Sequence, residues 1–261
     1  MRKSPILMSP AFAAFALFAT PAFAQDASQP ENQAEAGQAV ATPSEAAEEE
    51  EPSGPLELEV ALTGVSDYRF RGISLSDKDP AFQPSVTLSH ESGLYGSVWA
   101  SNVAENDGAD IEIDYIAGFA PTIGPVDLNI SATYYSYPGA TNLNYWEFIG
   151  NVSHSIGDAS VGFTFAYTPE QDSTIPERGL YFMLQGEVPI KNTPLTLTGS
   201  FGLEDNPFYD WKRDWSVGLN VDAGRGFTLG AAYVDTARTF RDPLGKPTVV
   251  FTLSKAFTAT F

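Results

Sequence analysis

Apolar residues recur at every second position through most of residues 56–261, and this alternation limits the possible folds more than any other feature. Leu58, Val60 and Leu62 alternate with polar or small residues, and residues 126–134 and 227–233 repeat the pattern. A period of two places alternate side chains on opposite faces of a β-strand. The chain after residue 55 has no comparable stretch with helical spacing. The pattern therefore predicts an all-β domain whose strands have one apolar and one polar face.

The alternation divides into twelve predicted strands. They span residues 56–71, 80–89, 93–102, 110–119, 126–136, 145–154, 160–168, 179–188, 195–204, 213–222, 227–236 and 247–261. Longer gaps follow the odd-numbered strands, and shorter gaps follow the even-numbered ones. Outer-membrane barrels have the same arrangement, with long external loops and short periplasmic turns. An even number of strands would place both ends of the domain on the periplasmic side.

Two features favour a membrane barrel over a soluble sandwich, whose apolar faces would pack in a shared core. Charges occur in mid-strand on the polar face, which suits a hydrated lumen; they are Asp110, Glu112, Asp114 and Glu187. Aromatic residues cluster near strand ends, as in interfacial girdles; they are Tyr68, Phe70, Tyr134, Tyr137, Tyr145, Trp146, Tyr167, Trp211, Trp215 and Phe257. We therefore predict a transmembrane antiparallel up-and-down β-barrel of about twelve strands, in which ring closure satisfies the backbone in lipid.

Composition excludes several classes of function. The chain has 33 Asp and Glu residues against 14 Lys and Arg residues, for a net charge of -19. Nucleic-acid binding needs a positive surface, so no nucleic-acid partner is expected. Cysteine is absent, and no phosphate-binding glycine loop, dinucleotide motif or zinc motif occurs. We predict no cofactor and no metal. The oxygen-rich run 105–110 lacks the full ligand pattern of a calcium loop, and we interpret it as an acidic glycine turn.

Two segments precede the barrel domain. Residues 1–24 have the pattern of a cleaved signal peptide, with Arg2 and Lys3 before an apolar run and Ala22-Phe23-Ala24 as the cleavage site. The alternative is a membrane anchor, but the apolar run is too short to span a bilayer. Residues 25–55 are acidic and poor in large apolar side chains, so we predict a disordered periplasmic linker. The predicted domains are therefore 1–24, 25–55 and 56–261.

The last strand resembles the C-terminal signal of outer-membrane proteins. It ends at Phe261, and apolar residues precede it at alternate positions, with Lys255 as an interruption. This resemblance implies recognition by the barrel-assembly machinery. Export to the outer membrane of a Gram-negative cell would then make membrane lipids and lipopolysaccharide the expected partners.

The run Ser66-Asp67-Tyr68-Arg69-Phe70-Arg71-Gly72-Ile73-Ser74 resembles the signature of the TorF family of porins. Residues 79–83, 93–102 and 111–115 are similar to the segments that follow it in that family. The resemblance covers most of residues 56–261. It implies an exported barrel of similar size that acts as a porin, and it implies no particular solute.

The parity of the first strand predicts which side chains line the pore. If Leu58, Val60 and Leu62 face lipid, then Tyr68 and Phe70 face lipid too, and the charged residues between them face the lumen. The predicted pore-lining residues are Asp67, Arg69, Arg71, Asp110, Glu112 and Asp114. Two interpretations stay open. The two arginines could face the acids Asp110, Glu112 and Asp114, which we call the acidic ladder, across a constriction, or the charges could form a salt-bridge plug that stabilises a narrow barrel.

Nucleophilic catalysis has little support in the sequence, and we predict no catalytic residues. The chain has two histidines, His90 and His154. Ser153 and Ser155 flank His154, but adjacent residues on a strand point to opposite faces and cannot easily pair. The leading hypothesis is passive diffusion of small polar solutes through the outer membrane. The alternatives are a non-conducting structural or adhesion barrel and, less favoured, a barrel lipid hydrolase.

Overall fold

The structure is a computed structural model that describes residues 55–171, 175–239 and 242–261. The predicted signal peptide and all of the predicted linker except Pro55 lie outside the described residues. The domain boundaries at residues 24 and 55 therefore stay predictions.

Twelve long antiparallel strands form a closed ring. Their bounds are β1 Leu56–Val65, β2 Ala81–His90, β3 Leu94–Asn106, β4 Ala109–Phe119, β5 Val126–Ser136, β6 Tyr145–Ile156, β7 Ala159–Thr168, β8 Gly179–Pro189, β9 Leu195–Asn206, β10 Tyr209–Gly224, β11 Phe227–Ala237 and β12 Thr248–Thr260. Each strand pairs with its neighbours in sequence, and β1 also pairs with β12. The predicted all-β, twelve-stranded, up-and-down barrel is confirmed.

Smaller elements complete the described chain. Thr122–Ile123 adds a two-residue strand beside β5, Arg69–Phe70 pairs with Ile73–Ser74, and Pro243–Gly245 forms a single 3₁₀ turn. In the described residues, the structure has no helix with the length and hydropathy needed to cross a membrane.

The barrel has two distinct ends. Leu56 and Phe261 exchange backbone hydrogen bonds at one end, which we call the terminal end. The opposite end, which we call the loop end, carries the longer connections 66–80, 137–144, 169–178 and 238–247. Two other loop-end connections are tight turns, because β3, β4, β9 and β10 extend beyond their predicted bounds. The prediction that all loop-end connections are long was therefore wrong at 107–108 and 207–208.

The two faces of the wall differ as the alternation predicts. On β4, Ile111 and Tyr115 are exposed on the outer face, whereas Glu112 and Asp114 are buried on the inner face. On β12, Val249 and Phe251 are likewise exposed on the outer face. The outer wall is therefore largely apolar and the inner wall largely polar.

Lys255 is the basic exception on the outer face of β12. Its ammonium group donates to the backbone carbonyl of Arg225 at the terminal end. It also lies over the rings of Phe227 and Phe257, 4.7 and 4.8 Å from their centroids. The apolar stem thus covers the wall while the charge reaches the rim, which explains how the interruption in the apolar series is accommodated.

The aromatic prediction is only partly right. Tyr134 and Trp146 lie on the outer face with ring centroids 4.8 Å apart, and Trp211 and Phe257 are exposed there too. The prediction was wrong for four residues that are buried inside the barrel: Tyr68, Phe70, Tyr137 and Tyr145. Nearness to a strand end does not decide the face, and Tyr145 faces inward because it pairs directly with the inward Tyr135.

Candidate functional site in the barrel lumen

Residues 66–80, which we call the lumen loop, leave the wall after β1 and fold into the barrel. The amide of Leu75 donates to the carbonyl of Tyr68 at 2.8 Å, and the Tyr68 amide donates to Ser76 Oγ at 3.0 Å. Arg71 and Gly72 form the tip with φ of 45° and 81°. A Cβ at Gly72 would lie 2.3 Å from Thr236 Cγ2, so both the backbone and the space require glycine.

The lumen loop corrects the parity prediction for its two aromatic residues. Tyr68 and Phe70 were expected to face lipid, but each has only 4% of its surface exposed. Phe70 belongs to a buried cluster with Tyr135 and Tyr145, and the Tyr68 ring lies 5.5 Å from that of Trp99. The prediction failed because β1 ends at Val65, so the period of two does not continue into these residues.

Arg71 connects the tip of the loop to two strands of the wall. Its Nη2 lies 2.8 and 2.9 Å from the two carboxylate oxygens of Glu147 on β6, and its Nη1 lies 3.0 Å from Glu204 Oε1 on β9. The guanidinium also lies 4.2 Å from the centroid of the Tyr181 ring. Burial lowers the pKa of Arg71, but Glu147 and Glu204 outweigh it and raise the pKa above its ordinary value. Arg71 is therefore a permanently charged clamp.

A second buried cation extends these ion pairs into what we call the Arg71 network, which consists of Arg71, Glu147, Glu204, Lys212 and Asp214. Lys212 on β10 lies 2.9 Å from Glu204 Oε2 and 3.5 Å from Asp214 Oδ2, and it donates to the carbonyl of Arg71. The Tyr181 hydroxyl donates to Asp214 Oδ1 at 3.0 Å. Lys212 has no exposed surface, so its charge is compensated by these oxygens and not by water.

Glu147 receives further donors from the inner wall. Tyr135 donates to its Oε2 at 3.1 Å, and Thr168 donates to its Oε1 at 2.8 Å. The sequence reasoning missed Glu147, Glu204, Lys212 and Asp214. Their inward parity within alternating strands was the available signal, since each has outward-facing neighbours on both sides.

Asp67 and Arg69 pair with each other. Arg69 Nε lies 2.7 Å from Asp67 Oδ2, and Ser74 Oγ donates to Asp67 Oδ1 at 2.6 Å. Arg69 Nη1 donates to the carbonyls of Gly72 and Lys246. These contacts brace the base of the lumen loop, and they join it to the connection before β12.

The acidic ladder of β4 occupies a different part of the lumen. Glu112 and Asp114 are buried on the inner face, and Asp110 is exposed at the loop end of the same strand. Among the described residues, none of the three forms an ion pair with Arg69 or Arg71. The structure therefore buries the side chains of five of the six predicted residues inside the barrel and leaves Asp110 exposed at the loop end, and the predicted contact between the arginines and the acids of β4 is absent from its described part.

The other candidate motifs have simple structural roles. Asp107 and Gly108, with φ of 51° and 90°, form the tight turn between β3 and β4. Across the described ranges, no group of three or more acidic, histidine or cysteine residues could hold a metal ion. His154 Nδ1 lies 2.9 Å from the carbonyl of Pro125 on the exposed surface.

Solved structures with a similar fold are porins. The KdgM porin has a TM-score of 0.52 at 7% identity, covering 78% of this chain and 99% of that one. A KdgM porin in complex with disordered oligogalacturonate has a TM-score of 0.50 at 8% identity, with the same coverage. The NanC porin has a TM-score of 0.50 at 12% identity, again with 78% and 99% covered. At these identities the similarity shows the porin-like fold alone.

The sequence itself matches one family model. No curated protein sequence matches the chain. Residues 49–257, which include the whole wall except the end of β12, match the model of the Gcw_chp family, described as a bacterial protein of unknown function. The chain therefore belongs to the Gcw_chp family.

Proposed function

We propose that this protein is an outer-membrane porin-like channel for the passive diffusion of small polar solutes. One observation carries the proposal: the barrel is a closed ring with an exposed apolar outer wall and a polar inner wall. A soluble barrel would bury its apolar face, whereas a barrel in lipid turns that face outward. Ring closure also leaves no unpaired strand edge in the hydrocarbon.

The orientation in the membrane follows from the lengths of the connections. Outer-membrane barrels have short periplasmic turns and longer external loops, so the terminal end would face the periplasm and the loop end the cell exterior. The outer wall would contact membrane lipids and lipopolysaccharide. The barrel-assembly machinery would recognise β12 and Phe261, and the signature at residues 66–74 supports membership of the TorF family of porins.

We infer that the lumen loop forms the constriction of this channel. Asp67, Arg69 and Arg71 on the loop, with Asp110, Glu112 and Asp114 on β4, would line the path. Fixed charges of both signs across a narrow lumen order polar solutes and disfavour apolar ones. The inner-wall residues Lys212 and Glu112 have no exposed surface, so we expect solute passage to involve movement of the loop.

The ion pairs of Arg71 are the contacts that would keep this constriction closed. Its bonds to Glu147 and Glu204 hold the loop tip across the lumen. A buried ion pair that loses one partner is strongly destabilised, because the other charge is left uncompensated. Removing the guanidinium should therefore release the loop and widen the path.

Planar bilayer recording of the purified protein tests the proposal. We expect discrete conductance steps for the natural protein, and larger or more frequent openings for Arg71→Ala. Lys78→Ala is the matched control, because Lys78 lies in the same loop but is exposed. Absence of conductance in all three proteins, together with no swelling of liposomes in sugar solutions, would reject the channel.

A second candidate function is a non-conducting structural barrel. The burial of the Arg71 network favours it, because every charged side chain there already has an oppositely charged partner within the protein. In that case the loop is a permanent plug, and Arg71→Ala would lower stability without producing conductance. The same bilayer recordings separate the two functions.

A further inference from the structure

The inner wall between the lumen loop and the terminal end carries neutral polar side chains. In the described strands β6 and β9, no charged residue occupies the inner face between the acids that pair with Arg71 and the terminal end. β2 and β7, both fully described, contain no Asp, Glu, Lys or Arg. We call this zone the neutral belt and define it by six inner-face residues: Thr87, Asn129, Asn151, Gln185, Ser200 and Asn220.

The neutral belt lines a hollow part of the lumen. All six of its residues are partly exposed, although they face the inside of a closed ring. Nearer the terminal end, the inner-face residues Ser155, Glu187 and Thr228 are exposed, whereas Glu147 and Lys212 beside the lumen loop are buried. Water and small solutes can therefore enter this cavity from the terminal end without movement of the lumen loop.

Tyr95 lies flat against one side of this cavity. It pairs across the sheet with Gly118 of β4, and its hydroxyl donates to Asn129 Oδ1 on β5 at 3.0 Å. A Cβ at Gly118 would lie 2.5 Å from two atoms of the Tyr95 ring, so the ring crosses β4 in the space that the missing side chain leaves. One face of the ring therefore covers the wall, and the other face of this partly exposed side chain is turned to the lumen.

An aromatic face beside neutral hydroxyl and amide groups suits the ring of a saccharide. The face of an aromatic ring is electron-rich and attracts the weakly positive C–H groups of a sugar ring. Sugar hydroxyl groups both donate and accept hydrogen bonds, as the side chains of Thr87, Asn151 and Ser200 also do. A saccharide can therefore exchange its bonds to water for bonds to the belt without leaving a charge unpaired.

A charged solute lacks a matching partner among the described residues of the belt. The buried cations Arg71 and Lys212 are held by the carboxylates of the Arg71 network. The terminal rim does not sort solutes by sign, because both signs of charge occur there: Glu187, Asp222, Lys191, Arg225 and Lys255. The belt itself favours uncharged solutes, since a charge that loses water without gaining a partner is costly.

We propose that the neutral belt and Tyr95 form a binding site for uncharged saccharides, which enter it from the terminal end. As a step in transport, the site rests on the proposed channel function and names its class of solute. As a binding site, it is reached from the terminal end even if the lumen loop stays in place. Binding and conductance therefore test the two proposals separately.

Saturation-transfer NMR of the full chain, in a detergent without a sugar head group, measures the binding. The probes are methyl glucoside and methyl glucuronide, in which a carboxylate replaces one hydroxymethyl group. We expect the natural protein to bind the glucoside at least about tenfold more tightly than the glucuronide. Tyr95→Leu should weaken glucoside binding about two- to tenfold, because the aromatic face is lost. Tyr115→Leu is the matched control, because Tyr115 is exposed on the outer face.

Gly118→Ala tests the same platform while keeping the tyrosine. Its added methyl group displaces the Tyr95 ring and should weaken glucoside binding, whereas Gly150→Ala, which meets open space, should not. Glucoside binding without conductance would reject the channel and retain the site. Conductance without glucoside binding would retain the channel and overturn the inference. Equal binding of the two probes, or unchanged binding in both Tyr95→Leu and Gly118→Ala, would also overturn it.

Discussion

Replacing Arg71 with methionine tests directly whether its ion pairs hold the lumen loop inside the barrel. Methionine keeps an unbranched stem in the same packing, but removes the bonds to Glu147 and Glu204 at 2.8–3.0 Å. It also removes the contact with the Tyr181 ring. Loss of one partner from a buried pair costs about 3–5 kcal/mol, since the remaining charge is stranded. Glu204 keeps Lys212, so most of the penalty falls on Glu147.

Hydrogen exchange measured by mass spectrometry reports the effect on the loop itself. The amides of Tyr68, Leu75 and Lys78 are hydrogen-bonded within the docked loop and exchange only when it opens. A penalty of 3–5 kcal/mol corresponds to exchange that is faster by roughly 10² to 10⁴.

Two comparisons make the exchange experiment decisive. Lys78→Ala changes an exposed side chain of the same loop and should leave the exchange of peptide 66–80 unaltered. Glu147→Gln added to Arg71→Met should restore part of the protection, because the stranded charge is removed. Exchange of Arg71→Met at the natural rate would refute the idea that the clamp holds the loop.

Three further substitutions probe the loop, the network and the outer wall. Gly72→Ala should weaken docking of the loop by about 1–3 kcal/mol, because Gly72 has a φ of 81° and an added Cβ would lie 2.3 Å from Thr236. Gly64→Ala is the control: an added Cβ there meets open space, so the hydrogen exchange of the loop should not change. Tyr135→Phe removes the hydroxyl donor to Glu147 and should lower the unfolding free energy in urea by about 1.5–3 kcal/mol. An equal loss for Tyr134→Phe, whose side chain faces outward, would contradict the assignment of this buried hydrogen bond. Leu253→Lys, in mid-strand on the outer face, should lower the unfolding free energy in lipid vesicles by about 2–4 kcal/mol. Lys255→Leu, near the rim, should change the unfolding free energy by less than ~1 kcal/mol, and equal effects of the two substitutions would argue against a membrane-facing wall.

The wall of the barrel could be predicted because each strand contains its own evidence. A face that is apolar at every second residue fixes both the existence of the strand and the direction of its side chains, as at Ile111 and Glu112. The bounds of β4, β5 and β7 differ from their predictions by at most one residue. Pairing between consecutive strands then follows, since short connections favour antiparallel neighbours.

The candidate site was harder to predict because it depends on a segment that breaks the rule. The alternation of Tyr68, Phe70 and the charged residues between them imitates a strand, yet the chain turns inward after Val65. What decides the turn is non-local: Arg71 finds carboxylates on β6 and β9, and Gly72 fits against Thr236 of β11. A period of two reports the face of a residue, but not its partner across a lumen.

The seam between β1 and β12 has a consequence for biogenesis. Nine residue pairs, from Glu57 with Thr260 to Val65 with Thr252, join the earliest and the latest strands of the domain. A nascent or truncated chain lacking β12 therefore has unpaired edges on β1 and β11, and either edge can pair with a strand of another molecule. The cylinder can be completed only after the last strand has been synthesised, so truncation before β12 should make the chain prone to aggregation.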